Sequence, residues 1–258
     1  MLFAIDVGNT NIVMGVFKDG SLYKSFRIAT STERTRDEYG MIFLQLLSYN
    51  NIKAEEIKGV IISSVVPPVM YSLVRAAEKY MRVDPVIVTK DIIKDINILY
   101  DNPGEVGADR LVNAFAAIKK YGGPLIIIDF GTATTFCAVD GRNNYLGGAI
   151  CPGVKISLDA LFTKTAKLPR IEISKPERVI GKSTVASMQS GVFFGYLGQI
   201  EYLVDKLKDE MREENIKVIA TGGLSRMFYE VSEKIDHFEP NLTLEGLKYI
   251  YESYAGDR

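Results

Sequence analysis

The sequence predicts an α/β protein in which one α/β unit is used twice, and three observations carry that expectation. A short motif occurs in two copies, Ile5-Asp6-Val7-Gly8-Asn9-Thr10-Asn11 and Ile128-Asp129-Phe130-Gly131-Thr132-Ala133-Thr134. In each, an apolar run delivers an aspartate to a strand end, glycine permits a tight turn, and small hydroxyl or amide residues follow. Around each copy the hydrophobic periodicity gives the same succession, three strands and then alternating helices and strands. Between them Tyr121-Gly122-Gly123-Pro124 is the best break, which divides the chain into halves 1–120 and 121–258.

The elements follow in order. Leu2 to Asp6 and Ile12 to Lys18 flank the first turn; Asp19-Gly20 is a hairpin signal leading to a third strand, Leu22 to Ala29. Thr35 and Glu38 have capping-box spacing before a helix carrying Tyr39, Ile42, Phe43, Leu46 and Leu47. Val60 to Ser63 is a short buried strand, Pro67-Pro68 opens a helix through Tyr80, and Val86 to Thr89 is a further strand. Gly107-Ala108-Asp109-Arg110 precedes an amphipathic helix, Leu111 to Ile118. The second half repeats the meander as Leu125 to Asp129, Thr134 to Val139 and Tyr145 to Ile150. A helix after Pro152 and a long helical pattern from Ser183 to Met211 come next. Val218 to Ala220 then ends in Gly222-Gly223. A last helix opens in Asn241 to Leu247 and packs back onto a lobe.

Composition narrows the chemistry. The chain has 258 residues, 47% hydrophobic and 24% charged, enough for a sizeable core, and its net charge of −1 gives no basic field for nucleic acid. One histidine, His237, sits in a polar stretch and is expected at the surface, so a histidine triad or histidine-rich metal site is not expected. Cys137 reads as a buried thiol, and Cys137 and Cys151 form no CxxC. No secretory leader and no membrane-length apolar run is present, so the expected location is the cytoplasm.

Each Asp-x-Gly turn alone is equally a β-turn without a ligand. Together, with backbone N–H groups and short polar side chains suited to phosphate oxygens and aspartates suited to the accompanying cation, they point to a nucleotide. Val218-Ile219-Ala220-Thr221-Gly222-Gly223 is either a plain strand-to-helix turn or a place where bare backbone approaches an adenine or ribose face. Asp109 is either an ordinary first-turn acid or a functional carboxylate at a helix N-terminus. Gly181-Lys182-Ser183 is no phosphate loop, because Pro176 stands where that motif needs glycine. Gly191, Gly195 and Gly198 read as small residues for close helix packing or a subunit contact, and Lys119-Lys120 as a solvated face.

In this order the two aspartate loops and the Gly-Gly turn resemble the actin, hexokinase and heat-shock ATPase superfamily. The segments Asp6 to Asn11, Gly107 to Arg110, Asp129 to Thr134 and the tail Leu242-Thr243-Leu244-Glu245-Gly246-Leu247 resemble type III pantothenate kinase more closely. That resemblance implies two ribonuclease-H-like (actin-like) lobes, each a mixed five-stranded sheet with flanking helices, with a nucleotide cleft between them. It implies transfer of phosphate from ATP to the 4′-hydroxyl of pantothenate, the first step towards coenzyme A.

The same resemblance implies roles. Asp6, Val7, Gly8, Asn9, Thr10, Asn11, Ile12 and Val13 bind ATP from one lobe and Thr132 from the other. Asp6 orients magnesium through water. Asp129 binds a monovalent cation, potassium or ammonium. Asp109 is the base, and Arg110 meets the pantothenate carboxylate. Tyr100, Gly107, Ala108 and Thr184 complete the pantothenate site, Thr184 from the second copy of a homodimer. Two other readings stand beside it: another small-molecule kinase of the superfamily, and a non-catalytic nucleotide-binding regulator with a transcription-accessory role.

Overall fold

The structure, a computed structural model, describes residues 1–93 and 96–256. Its contacts divide the chain into two units. One comprises Met1–Ile96, Asn102–Ala116 and Leu242–Arg258; the other comprises Asn97–Asp101 and Ala117–Asn241.

The first unit is built on β1 (Leu2–Val7), β2 (Asn11–Lys18), β3 (Ser21–Ala29), α1 (Arg36–Tyr49), β4 (Gly59–Ser64), α2 (Pro67–Met81) and β5 (Val86–Ile87). The sheet order is β3-β2-β1-β4-β5, with β1 antiparallel to β2 and parallel to β4. Each element has a local cause. Thr35 caps α1 reciprocally: Glu38 N donates to its Oγ1 at 3.3 Å and its own N donates to Glu38 Oε2 at 2.8 Å. Two prolines stand in the first turn of α2, where an N–H is not needed, and Arg82 ends the helix at φ 57°. Phe3, Ile5 and Val7 project from β1 onto the core that Phe43, Leu73 and Ala77 complete.

The second unit starts with β6 (Asn97–Ile98). The helix α3 (Ala108–Tyr121) belongs to the first unit up to Ala116. The second sheet then forms from β7 (Leu125–Phe130), β8 (Ala133–Val139) and β9 (Asn144–Pro152). Next come α4 (Val154–Lys164), α5 (Thr184–Met211), β10 (Lys217–Gly222), α6 (Ser225–Tyr229) and β11 (His237–Phe238), before the final α7 (Leu242–Gly256). The strand order is β11-β10-β7-β8-β9-β6. Read from its other edge, it is the first sheet's order with one strand added. Phe228 stacks on Phe130 at 5.1 Å and on Phe193 at 5.7 Å in this unit's core.

The fold thus bears out the duplicated α/β unit, with corrections in detail. The second sheet has six strands rather than five. The outer edge of β9 offers free backbone groups, and Asn97–Ile98 pairs with it, with Leu99 N donating to Tyr145 O at 2.9 Å. The expected strand over Val86 to Thr89 is regular only at Val86–Ile87. His237 is not an exposed loop residue: it lies on β11, half-buried, and stacks on Tyr121 at 4.4 Å. Lys120 is not a solvated cation, since its Nζ donates to Glu239 Oε2 at 2.6 Å. Gly191, Gly195 and Gly198 pack against nothing among the described residues within 4 Å of where a Cβ would stand. Cys137 is buried as expected, and neither cysteine is in a disulfide. No helix among the described residues is long and apolar enough to cross a membrane.

The sequence break at 120/121 would leave α7 with the second half, whereas its contacts belong to the first unit. Thr243 Oγ1 donates to Asn113 Oδ1 at 2.7 Å, and Gly59 has no side chain where Tyr251 passes. The crossing with α3 depends on Gly246, where a Cβ would stand 2.5 Å from Val112 O. Overpacking of this kind costs about 1–3 kcal/mol. The ~1 kcal/mol gain in helix propensity from glycine to alanine is smaller than a clash with rigid backbone. Gly246→Ala is therefore expected to lower unfolding stability by roughly 1–2 kcal/mol, measured by urea titration; an unchanged or raised midpoint would contradict the close crossing.

Candidate functional site

The first turn is held by its neighbours on both sides. Gly8 N donates to Asn11 O at 3.0 Å, closing a loop of four residues between the register partners Val7 and Ile12. Thr30, just beyond β3, fastens it: its Oγ1 donates to Gly8 O at 2.6 Å and its N to Thr10 O at 3.0 Å. Val65 N donates to Val7 O at 3.0 Å from the end of β4. With these carbonyls engaged, the loop presents Asn9 and Thr10 to solvent, with Asn11 and Asp6 half-buried. Val7 and Ile12 have their side chains in the core, so only their backbone can meet a ligand, while Val13 is half-buried opposite Asp6. Thr30 escaped the sequence reading because it is far along the chain; the only signal was a hydroxyl where β3 returns beside the loop.

Asp109 is the second residue of α3, and its carboxylate folds back over Gly107. Arg110 N donates to Asp109 Oδ1 at 2.8 Å. A Cβ on Gly107 would stand 2.6 Å from that same oxygen and 3.9 Å from Val65 Cγ1. Any side chain at position 107 would therefore displace the carboxylate. Val65 links this corner to the first turn through Val7, so Asp109 and the Asp6 loop are braced by one strand end. Burial pushes the Asp109 carboxyl above its ordinary value, outweighing the hydrogen bond from Arg110 N and the Arg110 charge, which act the other way. Arg110 is itself only 7% exposed, an unusual burial for a guanidinium. Beside the start of α3 lies a cavity of about 180 Å³, lined by Val88, Thr89, Lys90, Ile93, Val106 and Leu111 among others.

In the second unit, Asp129 is the penultimate residue of β7, in register with Thr221 on β10. Gly222 has φ +93°, and a Cβ there would stand 2.5 Å from Asp129 Oδ1, so bare backbone is needed to bring β10 past the carboxylate. Ser225, also absent from the sequence reading, fixes this turn by donating from Oγ to Gly222 O at 2.6 Å. Gly131 N donates to Ala133 O at 3.1 Å, and Gly153 N holds Thr132 O at 3.1 Å, leaving Thr132 exposed. Tyr100 lies against Tyr145 at 6.4 Å between ring centres and close to Gly147. Thr184 is exposed at the first position of α5, whose N-terminus Ser183 caps, on a groove of about 820 Å³ with Leu161, Leu168, Met188, Val192 and Tyr196.

The structure therefore brings Asp6 to Val13 and Gly107 to Arg110 together in the first unit. Asp129, Thr132, Tyr100 and Thr184 belong to the second. No cluster of three or more histidine, cysteine, aspartate or glutamate residues occurs among the described residues. That donor set fits magnesium carried by phosphates, which needs only one or two protein carboxylates and keeps its waters. One feature of the strand beside Asp6 has no packing rationale. Ser63 is fully buried and its hydroxyl has no hydrogen-bond partner among the described residues, a condition that costs about 1–3 kcal/mol.

A family model described as type III pantothenate kinase matches residues 2–206. Among solved structures, a protein described as a Baf family transcriptional activator from Campylobacter jejuni aligns with TM-score 0.61 at 17% identity, covering 98% of this chain and 99% of that one. A protein described as a 2-dehydro-3-deoxygalactonokinase from Sinorhizobium meliloti aligns at 0.59 with 11% identity over 98% and 96%. A protein described as an N-acetylglucosamine kinase from Porphyromonas gingivalis aligns at 0.54 with 13% identity over 99% and 100%. At these identities the structural likeness is one of fold.

The role of Thr30 is testable without any ligand. Thr30→Val keeps the side chain's shape and removes one hydrogen bond of about 1 kcal/mol. Amide exchange across Gly8 to Asn11 is expected to quicken about fivefold, with the core strands unchanged; equal protection in both proteins would show that the hydroxyl does not hold the turn.

Proposed function

Because the chain belongs to the type III pantothenate kinase family, we propose that it transfers phosphate from ATP to the 4′-hydroxyl of pantothenate with Asp109 as the general base. The observation that carries the base assignment is the Asp109 corner. Its carboxylate is held in place by Arg110 N, admitted by Gly107, and raised in proton affinity by burial. A carboxylate so raised is a better proton acceptor than a solvated one. The adjoining cavity, lined mostly by apolar residues and by Lys90, suits an acceptor with a branched apolar body and an anionic end.

Phosphoryl transfer proceeds through a loose transition state, so positioning and charge neutralisation do most of the work. Gly8, Asn9, Thr10 and Asn11 cradle ATP phosphates with backbone and short polar groups, and Val7, Ile12 and Val13 contribute as the strand ends that carry them. Thr132 adds a hydroxyl. Asp6 orients magnesium through water, and the cation neutralises phosphate charge. Asp129 holds potassium or ammonium. Arg110 meets the pantothenate carboxylate with Tyr100, Gly107 and Ala108 around it, and Thr184 reaches the site from a second copy. The open face of Gly191, Gly195 and Gly198, continuous with the groove at Thr184, supports that homodimer.

An ADP-release assay comparing pantothenate with sugars and short carboxylic acids tests the substrate. Pantothenate-dependent turnover is the expected result, and turnover with a different acceptor would replace it. Asp109→Asn is expected to lower kcat by about 10²–10⁴-fold while ATP binding stays within a few-fold of wild type; near-normal turnover would remove the base.

The pH dependence follows from the raised carboxyl. The base works deprotonated, so kcat/KM falls as pH drops through the folded-state value, and the acid limb is expected above the ordinary carboxylate range around 3.8. The same shift makes ionised Asp109 a cost to folding. That cost is absent below the unfolded value and complete once pH has risen past the folded one. Asp109→Asn is thus expected to be as stable as wild type in acid and no less stable at neutral pH. An acid limb at the ordinary carboxylate value would contradict the burial effect.

A further inference from the structure

We propose that Ser63 is a positioning residue for Asp6, its hydroxyl donating to one carboxylate oxygen when the other is engaged by the hydrated cation. The inference rests on the reading of Asp6 as the group that serves magnesium. Ser63 on β4 and Asp6 on β1 are register partners in adjacent parallel strands. Partners in such a pair project to the same face, with strands about 4.8 Å apart. On that face Gly59 meets Tyr251, whereas the alternate residues Val60 and Ile62 belong to the opposite core with Ile5 and Val7. The Ser63 side chain is wholly buried, and its hydroxyl has no hydrogen-bond partner among the described residues. A fold needing only a small residue here would be served as well by alanine. Staggered serine rotamers swing Oγ between neighbours on one face without moving the backbone.

The duplication supplies an independent observation. In the second unit the register partner of Asp129 on the next parallel strand is Thr221, buried at 1% exposure. Each aspartate next to the end of the first strand of a meander thus has a buried hydroxyl residue beside it. Elsewhere along these strands Val60, Ile61, Ile62, Val218, Ile219 and Ala220 are aliphatic, while Gly59, Ser64, Lys217 and Gly222 are not.

The test is manganese binding to the full-length protein with a non-hydrolysable ATP analogue, read by the paramagnetic spectrum, beside the metal-free melting temperature. Wild type is compared with Ser63→Ala, Ser63→Thr and Asp6→Asn. The expected result is manganese affinity reduced about tenfold in Ser63→Ala and in Asp6→Asn, and near wild type in Ser63→Thr. Ser63→Ala should melt at or above wild type. If Asp6→Asn loses affinity while Ser63→Ala keeps it, the proposal is overturned and the Asp6 reading stands. If Asp6→Asn binds manganese as wild type does, both fall. A lowered metal-free melting temperature with unchanged manganese affinity would mark Ser63 as structural and also overturn the proposal.

Discussion

The parallel pairing of β1 with β4, repeated as β7 with β10, is the constraint on which the site depends. Parallel neighbours run their carboxyl ends to the same edge, so Asp6 and Ser63, or Asp129 and Thr221, arrive there together. The turns that follow are free of the ladder and can present backbone and short side chains outward. A one-residue slip would send Asp6 into the core occupied by Ile5 and Val7. That core is aliphatic and aromatic throughout, with Phe3, Phe43 and Leu73 fully buried, so a slip would exchange apolar contacts for a buried charge. The turn after Asp6 is thus placed by hydrophobic packing several residues away from it.

Asp109 is set by a different balance. A carboxylate in the first turn of a helix is favoured by the unpaired N–H groups there, which hold its proton affinity down. Burial acts in the other direction and prevails. Gly107 decides the outcome, since its missing side chain lets the carboxylate fold inward rather than point to water. Val65 packs under the same corner, and through its bond to Val7 the Asp109 carboxylate and the first loop share one support. Positioning of this kind suits a reaction whose catalysis is mostly geometry.

Much of this was legible in the sequence because the signals are local. The capping box at Thr35 and Glu38, the paired prolines of α2 and the Asp19-Gly20 hairpin act within a few residues, and the structure has each of them. The two aspartate turns were legible as a pair for the same reason. What escaped depends on distant partners. Nothing near Asn97 announces that two residues will complete the edge of β9, and nothing near His237 announces Tyr121. Thr30 and Ser225 are ordinary hydroxyls until the chain returns beside Gly8 and Gly222. The tail motif was legible as a likeness but not as a cause; its Gly246 is required by the Val112 carbonyl, far away in sequence.

The two halves keep one frame and differ where a ligand would meet them. Between register partners the first turn spans Gly8 to Asn11, and the second only Gly131 to Ala133. The longer one carries two amides and a hydroxyl and is tied from β3 by Thr30. The shorter one exposes Thr132 and is tied from the far end of β9 by Gly153. At the next position the first unit has Ile12 in its core, where the second has Thr134, buried and with no hydrogen-bond partner for its hydroxyl among the described residues. An amide both donates and accepts at longer reach than a hydroxyl, so the first turn offers more polar groups, at longer reach, than the second. Two copies of one supersecondary unit therefore need not perform one task twice: the strands conserve where a polar group is delivered, and the turn length decides how many such groups there are.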